Sequence, residues 1–312
     1  MKGPLFYSKI LLFGEYGIIK DSRGLSIPYN FYNGALKIDQ LDTQQKKDSN
    51  QKLLNYVYHL TEIHYNTSIP VEFDLEELRK DLEKGMYFDS SIPQGYGVGS
   101  SGALVAAIYD KYATDKITVL ENLNQEKLKV LKGIFGEMES FFHGKSSGLD
   151  PLNSYLSLPI LINSKDSIEP AGIPSQTNTG KGAVFLLDSG VVGETAPMVN
   201  IFMENMKQDG FRKMLKNRFI KHTDACVESF LNGDVKKLFS NVKSLSKVVL
   251  ENFKPMIPKD FHELWKHGLD TNSYYLKLCG SGGGGYMLGF TEDIEKAKSA
   301  LKGHKVEVVY NF

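Results

Sequence analysis

The sequence predicts an α+β protein with two domains. The chain has 312 residues, about twice the length of a common single domain. Short apolar runs typical of strands occur near both ends, and segments with helical spacing of apolar residues lie between them. This mixture is typical of an α+β architecture. We expect an N-terminal domain of residues 1–182 and a C-terminal domain of residues 183–312, with residues 165–182 as a linker or long hairpin.

Each element follows from a local pattern. A mainly apolar run predicts a strand at residues 5–13, which ends at a turn of residues 14–17. Helical spacing of apolar residues predicts a helix through residues 53–60 and another over residues 125–142, with Gly144 just past its end. The C-terminal predictions are a strand at 275–279, a strand at 286–290, a helix at 292–301 and a strand at 306–310.

The composition restricts the class of partner. Lys and Arg together number 37, as do Asp and Glu, so there is no electrostatic argument for binding to nucleic acid or to a membrane surface. Hydrophobic residues make up 41% of the chain and charged residues 24%, a profile typical of a soluble protein with a sizeable core. We therefore expect a small-molecule partner, and neither a nucleic-acid nor a membrane partner.

The cysteines and the N-terminus indicate the compartment. Cys226 and Cys279 are far apart in sequence and form neither a disulfide framework nor a zinc signature. The seven histidines show no metal-ligand spacing. The apolar run at residues 10–13 is too short for a signal or membrane segment. We expect a cytoplasmic protein.

The glycine-rich loop at residues 93–102 is the strongest local signal for a binding site. Its glycines let the backbone approach an anion, and the N-terminus of the helix predicted after it would point free N–H groups at that anion. The loop therefore predicts a phosphate site. It is not a P-loop of the Gly-x-x-x-x-Gly-Lys-Ser/Thr type, because no lysine precedes the serines. The alternative is a structural turn in which Ser100 or Ser101 caps the helix.

Glu139 is a candidate metal ligand. It lies near the C-terminal end of a predicted helix, where the helix dipole disfavours an anion. A nearby cation would relieve this, and magnesium is the natural candidate because it is held by carboxylate, hydroxyl and phosphate oxygens. The alternative is a solvated glutamate at the edge of the helix.

Asp150 and Lys9 form a candidate catalytic pair. Asp150 precedes a proline and is expected to cap a helix that begins at Pro151, but a carboxylate there could also accept a substrate hydroxyl's proton during phosphoryl transfer. Lys9 lies on a strand with apolar neighbours and would be costly to bury without an anion such as Asp150. The alternative for Lys9 is a side chain that extends from an edge strand to solvent.

Four segments resemble the motifs of GHMP kinases and together span nearly the whole chain. Three of them resemble the family's three motifs in order: KILLFGE at residues 9–15, PQGYGVGSSGA at 93–103 and KLCGSGGGG at 277–285. The fourth, ESFFHGKSSGLD at residues 139–150, is similar to the mevalonate-kinase segment that carries a magnesium-binding glutamate and a catalytic aspartate, and it is the most specific.

The resemblance implies a two-domain GHMP kinase fold with a ferredoxin-like C-terminal domain and the substrate between the domains. It implies Mg²⁺ as cofactor, with ATP and a small hydroxylated molecule as substrates. The implied catalytic residues are Lys9 and Asp150, and the implied metal ligands are Ser101 and Glu139. The implied ATP-binding residues are Pro93, Gly95, Gly97, Gly99, Ser100, Ser101 and Gly102. The substrate side is assigned to Glu15, Tyr16 and, by a weak match, Thr195, and the second glycine-rich loop to Gly282, Gly283 and Gly284.

The expected activity is phosphorylation of mevalonate in isoprenoid precursor synthesis, although one residue also fits a different acceptor. Tyr16 follows Glu15 where mevalonate kinases usually have histidine, and phosphomevalonate kinases resemble this Gly-Glu-Tyr form. Residues 139–150 favour mevalonate. The sequence is also compatible with a sugar kinase of the family and with a nucleotide-binding sensor without activity. It leaves the oligomeric state open, a homodimer included.

Overall fold

Two strands run through both halves of the molecule. The computed structural model describes residues 3–66, 69–118, 123–164, 167–177 and 180–312. It divides into a first unit of residues up to Lys9, Ile27–Pro93 and Gly99–Leu158, and a second unit of Ile10–Ser26, Gln94–Val98 and Pro159–Phe312. Strands β1 (Phe6–Phe13) and β2 (Gly24–Ile38) each have residues in both units. The boundary expected between residues 182 and 183 stays a prediction.

The first unit is mainly helical. Its remaining elements are α1 (Gln44–Asn66), α2 (Leu75–Glu83), β3 (Met86–Ser90), α3 (Ser100–Tyr112), α4 (Gln125–His143) and α5 (Leu149–Leu156). Strand β3 pairs antiparallel with β2, with Gly34 opposite Ser90 and Ile38 opposite Met86. The helix predicted over residues 125–142 is confirmed as α4.

Helices α3 and α5 approach each other closely at their N-termini. A side chain at Gly102 would place its Cβ 2.7 Å from the carbonyl carbon of Asp150 and 2.8 Å from the nitrogen of Pro151. Only glycine allows this approach. The contact brings the end of the glycine-rich loop next to Asp150.

The second unit contains the C-terminal sheet. Its elements after β2 are β4 (Ile160–Ser164), β5 (Ser167–Pro170), β6 (Ala183–Asp188), α6 (Thr195–Asn205), α7 (Asp209–Met214), α8 (Lys221–Leu231), α9 (Val235–Asn252), α10 (His262–Thr271), β7 (Tyr275–Leu278), β8 (Tyr286–Thr291), α11 (Ile294–Ala300) and β9 (Val306–Asn311). A π-helical turn, Leu215–Ile220, joins α7 to α8. Strand β4 pairs with the start of β2 and with β5.

The C-terminal sheet has ferredoxin-like topology. Its strand order is β7-β8-β6-β9, with antiparallel pairing throughout. Helices lie between β6 and β7 and between β8 and β9, so the sequence of elements is β-α-β-β-α-β. The predicted ferredoxin-like C-terminal part and the strands near residues 275–279, 286–290 and 306–310 are confirmed.

Two further features are the hydrophobicity of the helices and the structure of the expected linker. No described helix is long and apolar enough to cross a membrane. Within the expected linker of residues 165–182, residues 165, 166, 178 and 179 lie outside the described part of the chain. The remainder includes β5, which pairs antiparallel with β4.

Candidate active site

The glycine-rich loop leads directly into helix α3. Gly95, Gly97 and Gly99 have φ angles of +75°, +77° and +81°, which side chains rarely adopt. Gly99 is the N-cap of α3, and no side chain caps this helix. The alternative in which Ser100 or Ser101 is the cap is therefore wrong. The first N–H groups of a 13-residue helix are left without a side-chain acceptor, which suits an anionic ligand.

Ser101 and Glu139 are hydrogen-bonded to each other. Ser101 Oγ donates to Glu139 Oε1 over 2.8 Å, and Ser146 Oγ donates to Glu139 Oε2 over 2.5 Å. His143 Nε2 lies 3.1 Å from Ser101 Oγ. Glu139 is 4% exposed, so the alternative of a solvated glutamate at the helix edge is wrong.

Burial and a second carboxylate perturb Glu139. Burial raises its pKa, the negative charge of Asp150 raises it further, and the result is a pKa of about 7. The hydrogen bonds from Ser146 and Ser101 and the charge of Lys9 act in the opposite direction. A buried carboxylate beside another carboxylate favours the binding of a cation.

Glu139 should make the stability of the metal-free protein depend on pH. Its pKa rises from 4.5 to about 7 on folding, so the folded state binds more protons than the unfolded state between these values. Its contribution to the free energy of unfolding is therefore present below the unfolded pKa and is lost as the pH rises through the folded pKa. We expect the melting temperature of Glu139→Gln, relative to wild type, to increase between about pH 5 and about pH 8 without divalent cations. A constant difference over this range would contradict the raised pKa.

Lys9 and Asp150 form an ion pair next to this cluster. Lys9 Nζ lies 2.7 Å from Asp150 Oδ1, with the lysine side chain 5% exposed and the aspartate side chain 36% exposed. The methylene groups of Lys9 pass the N-cap of α3, since a Cβ on Gly99 would lie 3.0 Å from Lys9 Cγ. The alternative of a lysine extended to solvent is wrong. The pair combines a buried cation with a carboxylate that solvent or substrate can reach.

Asp150 is not a helix cap. Helix α5 begins at Leu149 rather than at Pro151, and its N-cap is Gly148, with φ of +71°. Asp150 lies in the first turn, where the helix dipole stabilises its negative charge. The prediction from the Asp-Pro pair was wrong because the left-handed conformation of Gly148 starts the helix two residues earlier.

The first unit offers oxygen donors that fit a magnesium ion bound together with phosphates. Within the residues that the structure describes, no three His, Cys, Asp or Glu side chains gather into a metal-binding cluster. Glu139 and the hydroxyl of Ser101 are hard donors, too few to hold an ion alone. Magnesium in nucleotide sites uses one or two carboxylates together with substrate phosphates and water. The donor set therefore fits magnesium that arrives with a nucleotide.

The substrate-side candidates lie in the second unit. Glu15 and Lys277 form a buried ion pair, and Lys277 also donates to the carbonyl of Leu278 over 2.8 Å. Glu15 therefore already has a cationic partner within the protein. Its assignment to substrate binding stays a prediction.

Tyr16 has an unusual backbone conformation, and both its hydroxyl and its ring make contacts. Its φ is +58°, its hydroxyl donates to the carbonyl of Ser281 over 2.7 Å, and its ring stacks on Phe202 at 4.7 Å. Burial, and then the charge of Glu15, raise its pKa. Thr195 is the first residue of α6, and its Oγ1 lies 3.4 Å from Ser281 Oγ. Tyr16 and Thr195 thus both contact Ser281.

The second glycine-rich loop is closely packed. Gly282, Gly283 and Gly284 have φ angles of +79°, +80° and +156°. A Cβ on Gly284 would lie 2.8 Å from the backbone of residues 191–193, and Gly283 N–H donates to the carbonyl of Met256 over 2.7 Å. Glycine is therefore required here by both packing and backbone conformation.

Sequence reasoning missed three side chains of these clusters. Ser146 and His143 lie within the segment 139–150 but have no periodic pattern that predicts their contacts with Glu139 and Ser101. Lys277 lies in an apolar strand, the same signal that identified Lys9. The roles assigned to individual site residues stay predictions.

Comparisons with known proteins agree on the fold. No protein-family model matches the sequence, and no curated protein is significantly similar to it. Among solved structures, it is similar to L. major mevalonate kinase in complex with R-mevalonate, with a TM-score of 0.65 and 16% identity over 100% of this chain and 99% of that chain. It is also similar to Streptococcus pneumoniae phosphomevalonate kinase in complex with phosphomevalonate and AMPPNP, with a TM-score of 0.61 and 13% identity over 98% and 99% of the two chains.

A third similar structure comes from a sugar kinase. Lactococcus lactis galactokinase complexed with galactose has a TM-score of 0.61 and 10% identity, over 98% of this chain and 92% of that chain. The three similarities extend over nearly the full length of each chain. They agree with the motifs at residues 9–15, 93–103 and 277–285. The chain therefore has the fold of the GHMP kinases.

Proposed function

We propose that the protein is an ATP-dependent kinase that transfers a phosphoryl group to the primary hydroxyl of mevalonate. The observation that carries the kinase proposal is the Lys9–Asp150 ion pair beside the hydrogen-bonded Ser101 and Glu139, all within one unit. Gly99 and the uncapped N-terminus of α3, which lie in the same unit, adjoin this cluster. Phosphoryl transfer depends mainly on positioning and on stabilisation of charge, and these groups supply both.

The residues of the first unit act on the acceptor hydroxyl and on the phosphates. Asp150 accepts the hydroxyl proton while the hydroxyl oxygen forms a bond to the γ-phosphorus of ATP. The bond between that phosphorus and the β,γ-bridging oxygen breaks, and ADP leaves. Lys9, whose Nζ lies 2.7 Å from Asp150 Oδ1, adds positive charge beside the transferring group.

Ser101 and Glu139 would hold a magnesium ion that accompanies the nucleotide. When bound, this ion neutralises charge on the phosphate oxygens. The hydroxyl of Ser101 and Oε1 of Glu139 already lie together, so little rearrangement is needed. A sensor without activity would not require the Lys9–Asp150 pair in addition to these ligands.

The observations on the acceptor favour three different candidates. The segment 139–150 resembles mevalonate kinases, and solved mevalonate kinases are among the similar structures. Tyr16, after Glu15, favours phosphomevalonate as a second candidate. A sugar is the third, since a galactokinase shares the fold. We propose mevalonate because the segment 139–150 carries both a metal-ligand candidate and the catalytic carboxylate candidate.

A substrate panel tests the acceptor. We expect the purified protein with Mg-ATP to release ADP with mevalonate and not with phosphomevalonate or galactose, as measured by a coupled ADP assay and by mass spectrometry of the product. Turnover of phosphomevalonate alone would replace mevalonate by the second candidate and leave the kinase proposal intact. ATP binding without turnover of any acceptor would favour the sensor.

A further inference from the structure

Ser146 connects the metal-ligand candidate to the helix that carries Asp150. Its hydroxyl donates to Glu139 Oε2 over 2.5 Å and accepts a hydrogen bond from the N–H of Gly148 over 3.0 Å. Gly148 is the N-cap of α5, two residues before Asp150. One hydroxyl therefore contacts both Glu139 and the start of α5.

Gly148, whose N–H donates to Ser146, is closely packed. Gly148 packs against α4, the helix that carries Glu139, because a Cβ at Gly148 would lie 2.0 Å from the carbonyl oxygen of Lys132 and 2.7 Å from the nitrogen of Gly136. The serine is thus fixed relative to the same helix as the carboxylate that it contacts. Rotation of that carboxylate would break the hydrogen bond from Ser146.

The two oxygens of Glu139 consequently have different environments. Oε1 faces Ser101, the other metal-ligand candidate, and Oε2 is occupied by Ser146. A cation that binds beside Ser101 can take Oε1, but to take Oε2 as well it would compete with the hydrogen bond that Oε2 accepts from Ser146. The arrangement favours coordination through Oε1 alone.

We propose that Ser146 is a positioning residue that holds Glu139 for monodentate coordination and so makes the site prefer magnesium to calcium. Magnesium requires a near-octahedral shell, keeps several waters and accepts single carboxylate oxygens. Calcium is larger and takes six to eight oxygens, often with a bidentate carboxylate. The hydrogen bond to Oε2 weakens one ligand that calcium could use, whereas magnesium needs only Oε1. The inference rests on the proposed binding of a metal–nucleotide complex.

The test compares metal preference in nucleotide binding, apart from catalysis. Calorimetry would measure the dissociation constant of the non-hydrolysable analogue AMPPNP with MgCl₂ or with CaCl₂, for the wild type and for Ser146→Ala. We expect the variant to lose about tenfold of the magnesium preference, the lower end of the effect typical of residues that orient metal ligands. Ser146→Thr keeps the hydroxyl and should keep the wild-type preference.

Ser140→Ala is the matched control. Ser140 follows Glu139 on α4, and its hydroxyl bonds to the carbonyl of Glu137 over 2.6 Å. Its removal should leave the preference unchanged. If Ser146→Ala does not fold, Ser146→Cys replaces it and should show the same loss, because a thiol fills the space but is a weak donor.

The outcomes separate this inference from the proposed function. A wild-type protein that binds AMPPNP with neither metal would overturn both. Normal binding by the wild type, with the same magnesium preference in the folded Ser146 variant, would overturn only the role of Ser146. The same holds if Ser140→Ala changes the preference as much as Ser146→Ala, because the effect would then come from general disturbance of α4.

Discussion

Asp150→Asn is expected to lower kcat by about 10²-fold or more, the range in which general acid–base groups contribute. Asparagine matches aspartate in shape but cannot accept the proton of the acceptor hydroxyl. It also removes the negative charge that faces Lys9 Nζ at 2.7 Å. Nucleotide binding should persist, since the glycine-rich loop and the N-terminus of α3 are unchanged. Steady-state kinetics and a nucleotide titration on the same preparation measure the two effects.

The same variant should also be less stable. Lys9 is buried and would lose its ion pair with the Asp150 carboxylate, and Asp150 lies in the first helical turn rather than at a replaceable cap. Because Asp150 is partly exposed and asparagine can still accept a hydrogen bond, we expect a loss of about 1–2 kcal/mol in the free energy of unfolding.

Asp89→Asn is the control for Asp150→Asn. Asp89 pairs with Lys37, and both side chains are exposed. The control should change neither kcat nor stability appreciably, because exposed pairs contribute little. If Asp150→Asn turns over at a rate near that of the wild type, the proposed catalytic role is wrong.

Glu139→Gln is expected to raise the magnesium concentration needed for half-maximal activity by at least about tenfold, because one ligand charge is lost while the shape of the side chain is kept. Ser101 and Ser146 donate to different oxygens of Glu139, and glutamine replaces one of these oxygens by an NH₂ donor, so one of the two hydrogen bonds is lost. The measurement is the initial rate at fixed ATP over a series of free magnesium concentrations.

Glu137→Gln is the control on the same helix. Glu137 is exposed, two residues from Glu139. It should leave the magnesium requirement unchanged. If Glu139→Gln needs the same magnesium concentration for half-maximal activity as the wild type, Glu139 does not hold the ion.

Short sequence patterns predicted the elements that interactions between neighbouring residues determine. Apolar spacing predicted α4 and the C-terminal strands, since an amphipathic element must bury one face. Glycine content predicted the loop before α3, since positive φ angles require it. Lys9, Glu139 and Asp150 were identified from their positions beside apolar stripes or a proline, where a charge needs an explanation.

Only the tertiary structure determined which of these residues are in contact. The contact between Lys9 and Asp150 joins positions 141 residues apart, and no local pattern encodes that distance. Packing at Gly102 and Gly148 placed Asp150 within the first turn of α5 rather than at its cap. The hydrogen bond from Ser146 to Glu139 and the ion pair of Lys277 with Glu15 likewise form only in the folded chain. Burial makes an unpaired polar group costly, and the fold determines which partner lies within reach.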